Sequence, residues 1–253
     1  MKVLLSPAKS MSSNLPDFPV IGTSPIFSVK TLQLISVLKN WSPNDFKLKM
    51  KVSDSISEST YQSYSQWSLN NNENGFPSIF LYSGTAFKGL ASNVMSQKEI
   101  DYAQNNLYVI SGLYGLLKPL DIIHPYRLEM AFKFNINKTT DSLYDFWRDE
   151  ITNYLSNNFK NELIVNLASN EYSKVIDRKT LEIDVLECQF LENKNGKEKV
   201  VANHAKMARG LLARYIVQNQ IKEKAKLLSF NSNGYCFRGD LSTESEYVFS
   251  RNH

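Results

Sequence analysis

Four short runs in this chain gather side chains of the kind that hold anions. The first is Ser6-Pro7-Ala8-Lys9, directly after the apolar run at Lys2–Leu5. A strand-to-loop junction of this kind lets a rigid scaffold hold polar groups in place. The second is Ser111-Gly112-Leu113-Tyr114-Gly115, continuing through Asp121 to Pro125-Tyr126-Arg127-Leu128-Glu129. Two glycines three apart permit a tight turn with backbone amides free to meet an anion. Arg127 and Glu129, two residues apart, project to one side of an extended segment. The third is Asn166-Leu167-Ala168-Ser169-Asn170-Glu171-Tyr172, where an apolar run delivers polar groups to a helix start. The positive end of a helix dipole suits phosphate.

The fourth run is a helix over Ala205–Gln220. At helical spacing Ala208, Leu211, Leu212, Tyr215 and Ile216 form an apolar stripe. Lys206, Arg209, Gly210, Ala213 and Gln220 take the opposite face, with Arg214 on its flank. The small residues between the bases let a backbone approach, either a neighbouring element of the protein or a nucleic-acid strand. Each run also has a plain structural reading: a turn, a surface Arg–Glu pair, a helix cap, a packing face. Jointly they place Ser6, Lys9, Arg127, Asn166, Ser169, Asn170, Lys206, Arg209 and Arg214 at element ends or on one helix face, the distribution expected of a composite anion site.

The elements that must position these groups follow from apolar spacing and turn chemistry. Lys2–Leu5, Ile79–Tyr82, Leu107–Ile110 and Leu163–Leu167 read as buried strands. A helix is expected from Ser28, another from Ser42-Pro43 to about Lys51, and a third from Ser53 to about Trp67. Leu143–Leu155 reads as a helix, and Ser169-Asn170 as the cap of a short helix through Val175. Leu181–Leu191 and Lys199–Ala202 pair as a hairpin about Lys194-Asn195-Gly196, with late strands at Leu227–Phe230 and Tyr247–Phe249. Asn70–Gly75 is the best candidate for a flexible loop. No repeat or linker divides the chain, so residues 1–253 are expected to form one mixed α/β (α+β) domain, with short strands, packed helices and a basic cleft.

The chain's 253 residues are 42% hydrophobic, enough for a sizeable core. No apolar run approaches membrane-spanning length, and the N-terminal run is too short for an export signal. Two cysteines, Cys188 and Cys236, give no disulfide framework, so a cytoplasmic location is expected. The net charge of +4 is unevenly spread. Lys30–Lys51 holds five lysines against Asp45 alone, and Lys199–Lys226 holds seven bases against Glu223 alone. No P-loop, dinucleotide fingerprint, nucleophile elbow or zincin motif is present. His124, His204 and His253 are far apart without partners at ligand spacing, so no metal and no cofactor is expected.

The same runs carry a resemblance. Ser-Pro-Ala-Lys from Ser6, the eleven-residue block from Ser111, Pro-Tyr-Arg-Leu-Glu-Met from Pro125, Tyr-Asp-Phe-Trp from Tyr144, Asn-Leu-Ala-Ser-Asn-Glu-Tyr from Asn166 and Ala-Lys-Met-Ala-Arg-Gly-Leu from Ala205 occur in the order of the YaaA family. Phe230-Asn231-Ser232-Asn233-Gly234-Tyr235 extends the resemblance almost to the C-terminus. The resemblance implies a single-domain cytoplasmic protein with a family-specific fold, tied to peroxide stress and to limiting damage from unincorporated iron. It also implies DNA binding through a positively charged cleft and a helix-hairpin-helix-like element. The nearest match to that element is Phe46–Ser57, with Lys51-Val52-Ser53 at the hairpin but without hairpin glycines. His204 stands where the family usually has an aromatic residue.

The leading expectation is therefore a DNA-binding, non-enzymatic protein of the peroxide-stress response. It would contact duplex or structured DNA without strong sequence preference through Ser6, Lys9, Lys51, Ser53, Arg127, Asn166, Ser169, Asn170, Lys206, Arg209 and Arg214. The alternative is an enzyme acting on a nucleotide or other phosphorylated small molecule, with Glu129 or Glu171 as acid or base. A long open basic groove favours the first reading, and an enclosed site with a buried, high-pKa carboxyl favours the second.

Overall fold

The computed structural model describes residues 1–68 and 75–252. In its first half the chain forms β1 (Lys2–Leu5), α1 (Ser28–Leu38), α2 (Pro43–Met50), α3 (Asp54–Gln66), β2 (Phe76–Pro77), α4 (Ser78–Leu81), α5 (Thr85–Leu90) and α6 (Gln97–Asn106). Then come β3 (Leu107–Ser111), β4 (Gly115–Leu117), β5 (Ile122–Ile123), α7 (Leu143–Asn158), β6 (Ile164–Leu167) and α8 (Asn170–Ser173). The last third contains β7 (Val185–Lys194), β8 (Lys197–Lys199), α9 (Ala202–Gln218), β9 (Cys236–Phe237) and β10 (Glu246–Asn252).

One mostly parallel sheet runs in the order β4-β3-β1-β6-β7-β10-β9. β1 lies between β3 and β6 and is parallel to both, with Leu5 level with Val109 on one side and Leu167 on the other. Buried residues run without alternation along β3 and β6, as expected where helices or loops cover both faces of a parallel sheet. β7 instead alternates along its first part, burying Leu186, Cys188 and Phe190, because one of its faces is open. The antiparallel strands β4 and β9 close the two edges.

The chain leaves β1 for β3 on one side and later crosses back to β6 on the other. The strand order therefore reverses at β1. In open α/β sheets the crevice beyond the C-terminal ends of the strands at such a reversal is the usual ligand position. Here that crevice begins at Ser6 and Ser169.

Two expected strands take other forms. Ile79–Tyr82 falls in the helical turn α4, where the Ser78 and Ile79 amides donate to the Asp121 and Pro119 carbonyls and the Tyr82 amide to Ser78. A four-residue apolar run fits a buried helical turn as well as a buried strand, and only its neighbours decide. Leu227–Phe230 belongs to a 3-10 turn over Lys224–Ser229, with Phe230 as its C-cap. The expected hairpin forms with shifted ends, β7 with β8. α9 starts at Ala202, ahead of the expected start. Most of the Asn-rich stretch, Asn70–Asn74, lies outside the described residues.

Candidate anion-binding site

At the reversal point, strand pairing between β1 and β6 sets Ser6 beside Ser169. The Ser169 amide donates to Ser6 Oγ at 2.8 Å, and the Ser6 hydroxyl donates to Ser169 Oγ at 3.2 Å. Ser169 occupies the N-cap position of α8, yet its side chain makes no capping bond. Having accepted from Ser6, its hydroxyl keeps a proton to donate into the space above. Ser6, Lys9, Thr85, Ser169, Lys206 and Arg209 are among the residues lining a cavity of about 250 Å³, with Glu171 as its one carboxylate among the described residues and Tyr172 and Leu167 as apolar wall.

Helices α5 and α9 hold the outer wall. Gly210 lies so close to α5 that a Cβ there would meet the Ala86 carbonyl oxygen at 1.8 Å, and one on Gly89 would meet the Met207 carbonyl at 2.5 Å. The backbone that the small residues of α9 admit is thus the protein's own helix α5. Arg214 fixes the other end of this contact: its Nη1 donates to the Leu90 and Ala91 carbonyls at the C-terminus of α5. Only the first turns of the face carry free bases, Lys206 exposed and Arg209 largely covered.

Arg209 makes no hydrogen bond or ion pair among the described residues, and its buried Nε is unsatisfied. Burial holds its pKa below the usual arginine range, opposed by the Glu187 carboxylate. Burial pushes the Cys188 thiol well up, with Glu187 adding to the rise. Asn166 does not face the cavity. It donates to Glu187 at 2.6 Å and accepts from the Ala168 amide at 3.0 Å, which braces the strand end.

Beside the cavity, Glu129 Oε1 takes two cations, Lys9 Nζ at 2.9 Å and Arg127 Nη2 at 3.0 Å. Lys9 therefore joins the main cavity to a small adjoining one lined by Arg127 and Glu129. Tyr126, directly before Arg127 in sequence, is anchored to Ser111 at 2.6 Å and Tyr82 at 2.8 Å, and burial pushes its phenol up to about 12. The glycine turn below binds itself. Ser111 Oγ accepts from the Leu113 and Tyr114 amides, and the Gly112 carbonyl from Trp147, so those groups are spent on the fold.

Glu171, on the cavity wall, accepts from the Ala131 amide at 3.4 Å. The remaining expected site residues lie apart, and Asn170 is exposed on α8 and does not line the cavity. Lys51 ends α2 in the left-handed region at φ 52°, and Ser53 Oγ caps α3. This helix pair packs Phe46 on Tyr64, whose hydroxyl donates to the Arg127 carbonyl at 3.0 Å, so the hairpin buttresses the Arg127 segment. The basic run Lys30–Lys51 is partly neutralised, Lys30 by Glu150 and Lys47 by Asp54. Thr85 was not legible as a site residue. Its only signal is Ser83-Gly84, which ends an apolar run as Ser111-Gly112 does. Among the described residues no group of His, Cys, Asp and Glu is gathered to hold a metal ion, and no helix is long and apolar enough to cross a membrane.

The chain matches the family model described as "Peroxide stress protein YaaA" over residues 1–241. The chain belongs to the YaaA family. It is 39% identical over 256 residues to a UPF0246 protein of Francisella tularensis subsp. tularensis (strain WY96-3418), covering 99% of this chain and 100% of the relative. A UPF0246 protein of Aliivibrio fischeri (strain MJ11) is 42% identical over 255 residues, covering 99% and 98%. Family membership supports a role in peroxide stress, and three of the runs that carried the resemblance, at Ser6, Asn166 and Ala205, contribute residues to the cavity lining.

Proposed function

We propose that this YaaA-family protein acts in the peroxide-stress response by binding DNA through its phosphate backbone, limiting damage driven by peroxide and iron. The observation that carries the reading is the convergence of Lys9, from the loop after β1, with Lys206 and Arg209, from α9, on one depression whose single lining carboxylate among the described residues is Glu171. Phosphate contacts of this kind give affinity without base readout. The test is fluorescence anisotropy on 5′-hydroxyl duplexes of differing sequence. Affinity should fall with salt at a log–log slope of roughly −0.9 per phosphate neutralised and vary little with sequence. Lys206→Ala should weaken binding uniformly and flatten that slope by about one. A parent protein without duplex affinity at low salt would sink the reading.

A nucleotide-directed enzyme is the second reading, favoured by the position of the cavity at the reversal of the strand order. One feature weighs against it. The carboxyl that burial pushes up, Asp121 at about 6, is bonded to Thr23 and the Lys118 amide and does not line the cavity.

A further inference from the structure

We infer that the cavity at the end of β1 and β6 is a seat for a single phosphomonoester dianion, anchored by Arg209. Several polar groups of the cavity are left unspent by the fold. A guanidinium that is mostly covered and carries an unpartnered Nε leaves a desolvation cost that an enclosed anion would offset. Its planar fork matches a phosphate's oxygens bidentately. Ser169 accepts from Ser6 and supplies a hydroxyl proton that no group among the described residues takes. Lys206 adds a second cation without a carboxylate in contact, and Lys9 a third that is shared with Glu129.

Charge and size then select the ligand class. Among the described residues Lys206, Arg209 and the shared Lys9 line the cavity against Glu171 alone, and this net positive lining favours a dianion over a diester monoanion. A phosphomonoester carries about −1.5 to −2 near neutral pH. A cavity of about 250 Å³ admits a terminal phosphate with part of its organic group. A duplex phosphodiester, flanked by sugar on both sides, can meet the exposed Lys9 and Lys206 at the mouth but presents no phosphate end to the covered Arg209. The apolar wall of Ala8, Ala86, Leu167 and Tyr172 is suited to the attached organic group. This inference does not depend on the DNA reading, and the two fail separately.

The test is isothermal titration of the full chain with adenosine 5′-monophosphate, inorganic phosphate and adenosine. The first two should bind and adenosine should not. Affinity for the monophosphate should rise as pH passes through about 6, where the monoester gains its second charge. Arg209→Gln should weaken monophosphate binding at least about tenfold, with Arg209→Lys intermediate because the charge stays but the fork is lost. Lys222→Gln, at the far end of α9, should leave it unchanged. Should Arg209→Gln fail to fold by circular dichroism, Ser169→Ala and Lys206→Gln carry the same expectation in smaller measure. Competition then identifies the source of the phosphate. A 5′-phosphorylated hexanucleotide that displaces the monophosphate, where its 5′-hydroxyl counterpart does not, assigns the seat to a nucleic-acid end. Failure of both assigns it to a free small molecule. Absence of binding by phosphate and monophosphate at about 10 mM, or a folded Arg209→Gln protein that binds like its parent, overturns the inference.

Discussion

Single side chains in this protein divide sharply between those spent on the fold and those left over. Asn166 and Arg214 look alike in sequence to Ser169 and Arg209, yet each closes its bonds internally, with Glu187 and with the end of α5 respectively. Glu129 is a divided case, since one of its oxygens restrains both Lys9 and Arg127. Glu129→Gln should release both cations, tighten duplex binding and steepen the salt slope by about one, read by anisotropy across a salt series. Unchanged affinity and slope would take Lys9 and Arg127 off the DNA surface. Asp121 makes the pH prediction. Burial raises its folded pKa to about 6, above the unfolded value, so the native state binds more protons between about pH 4 and 6. Its contribution to stability is therefore greatest in acid and is lost as pH rises through 6. The unfolding free energy of the parent minus that of Asp121→Asn should fall by about 2 kcal/mol from pH 4 to 7. A difference that stays level across that range would show that Asp121 does not titrate as its burial dictates.

Between elements, the closest fit is α5 against α9, and it makes the cavity wall rigid. Gly210→Ala would place a methyl against the Ala86 carbonyl, so the helices must part. Overpacking of this kind costs about 1–3 kcal/mol and often more when backbone must move. Chemical denaturation should show that loss. Phosphate and duplex binding should weaken too, because Arg209 and Thr85 sit on the two helices that separate. Arg214→Gln, by contrast, should lower stability by about 1–2 kcal/mol through two carbonyls left with weaker donors. Duplex affinity and salt slope should stay at the parent's values. A reduced salt slope in a folded Arg214→Gln protein would return Arg214 to the binding surface.

For the molecule as a whole, the basic residues do not form one band. Lys222 and Lys226 lie beyond the C-terminal end of α9 beside a separate hollow, with about 18 Å of helix between Lys206 and Gln218. Lys30 and Lys47 are matched to acids, leaving Lys39, Lys49, which lies over the Trp41 ring, and Lys51 exposed among the lysines of the first basic run. If the α2–α3 hairpin meets DNA together with the cavity rim, Lys51→Ala and Lys206→Ala should each flatten the salt slope by about one and add in the double variant. A Lys51→Ala protein with the parent's slope would confine the DNA surface to the rim.

Sequence alone determined the strands β1, β3 and β6 and the helices α1, α2, α3, α7 and α9, because their apolar periods and capping residues act over neighbouring positions. It also determined that Ser6, Lys9, Ser169, Lys206 and Arg209 sit at element ends or on an exposed helix turn, and its motifs carried the family. Local rules do not decide which polar groups stay free, since that depends on partners distant in the chain. Glu187 takes Asn166, α5 takes Gly210 and Arg214, and Ser6 takes the hydroxyl that would have capped α8. The helical turn at Ser78–Leu81 was equally out of reach, because carbonyls at Pro119 and Asp121 fix its start. Only the tertiary structure set β1 between β3 and β6. The reversal of strand order there, a property of pairing between remote segments, brings the five residues to one cavity.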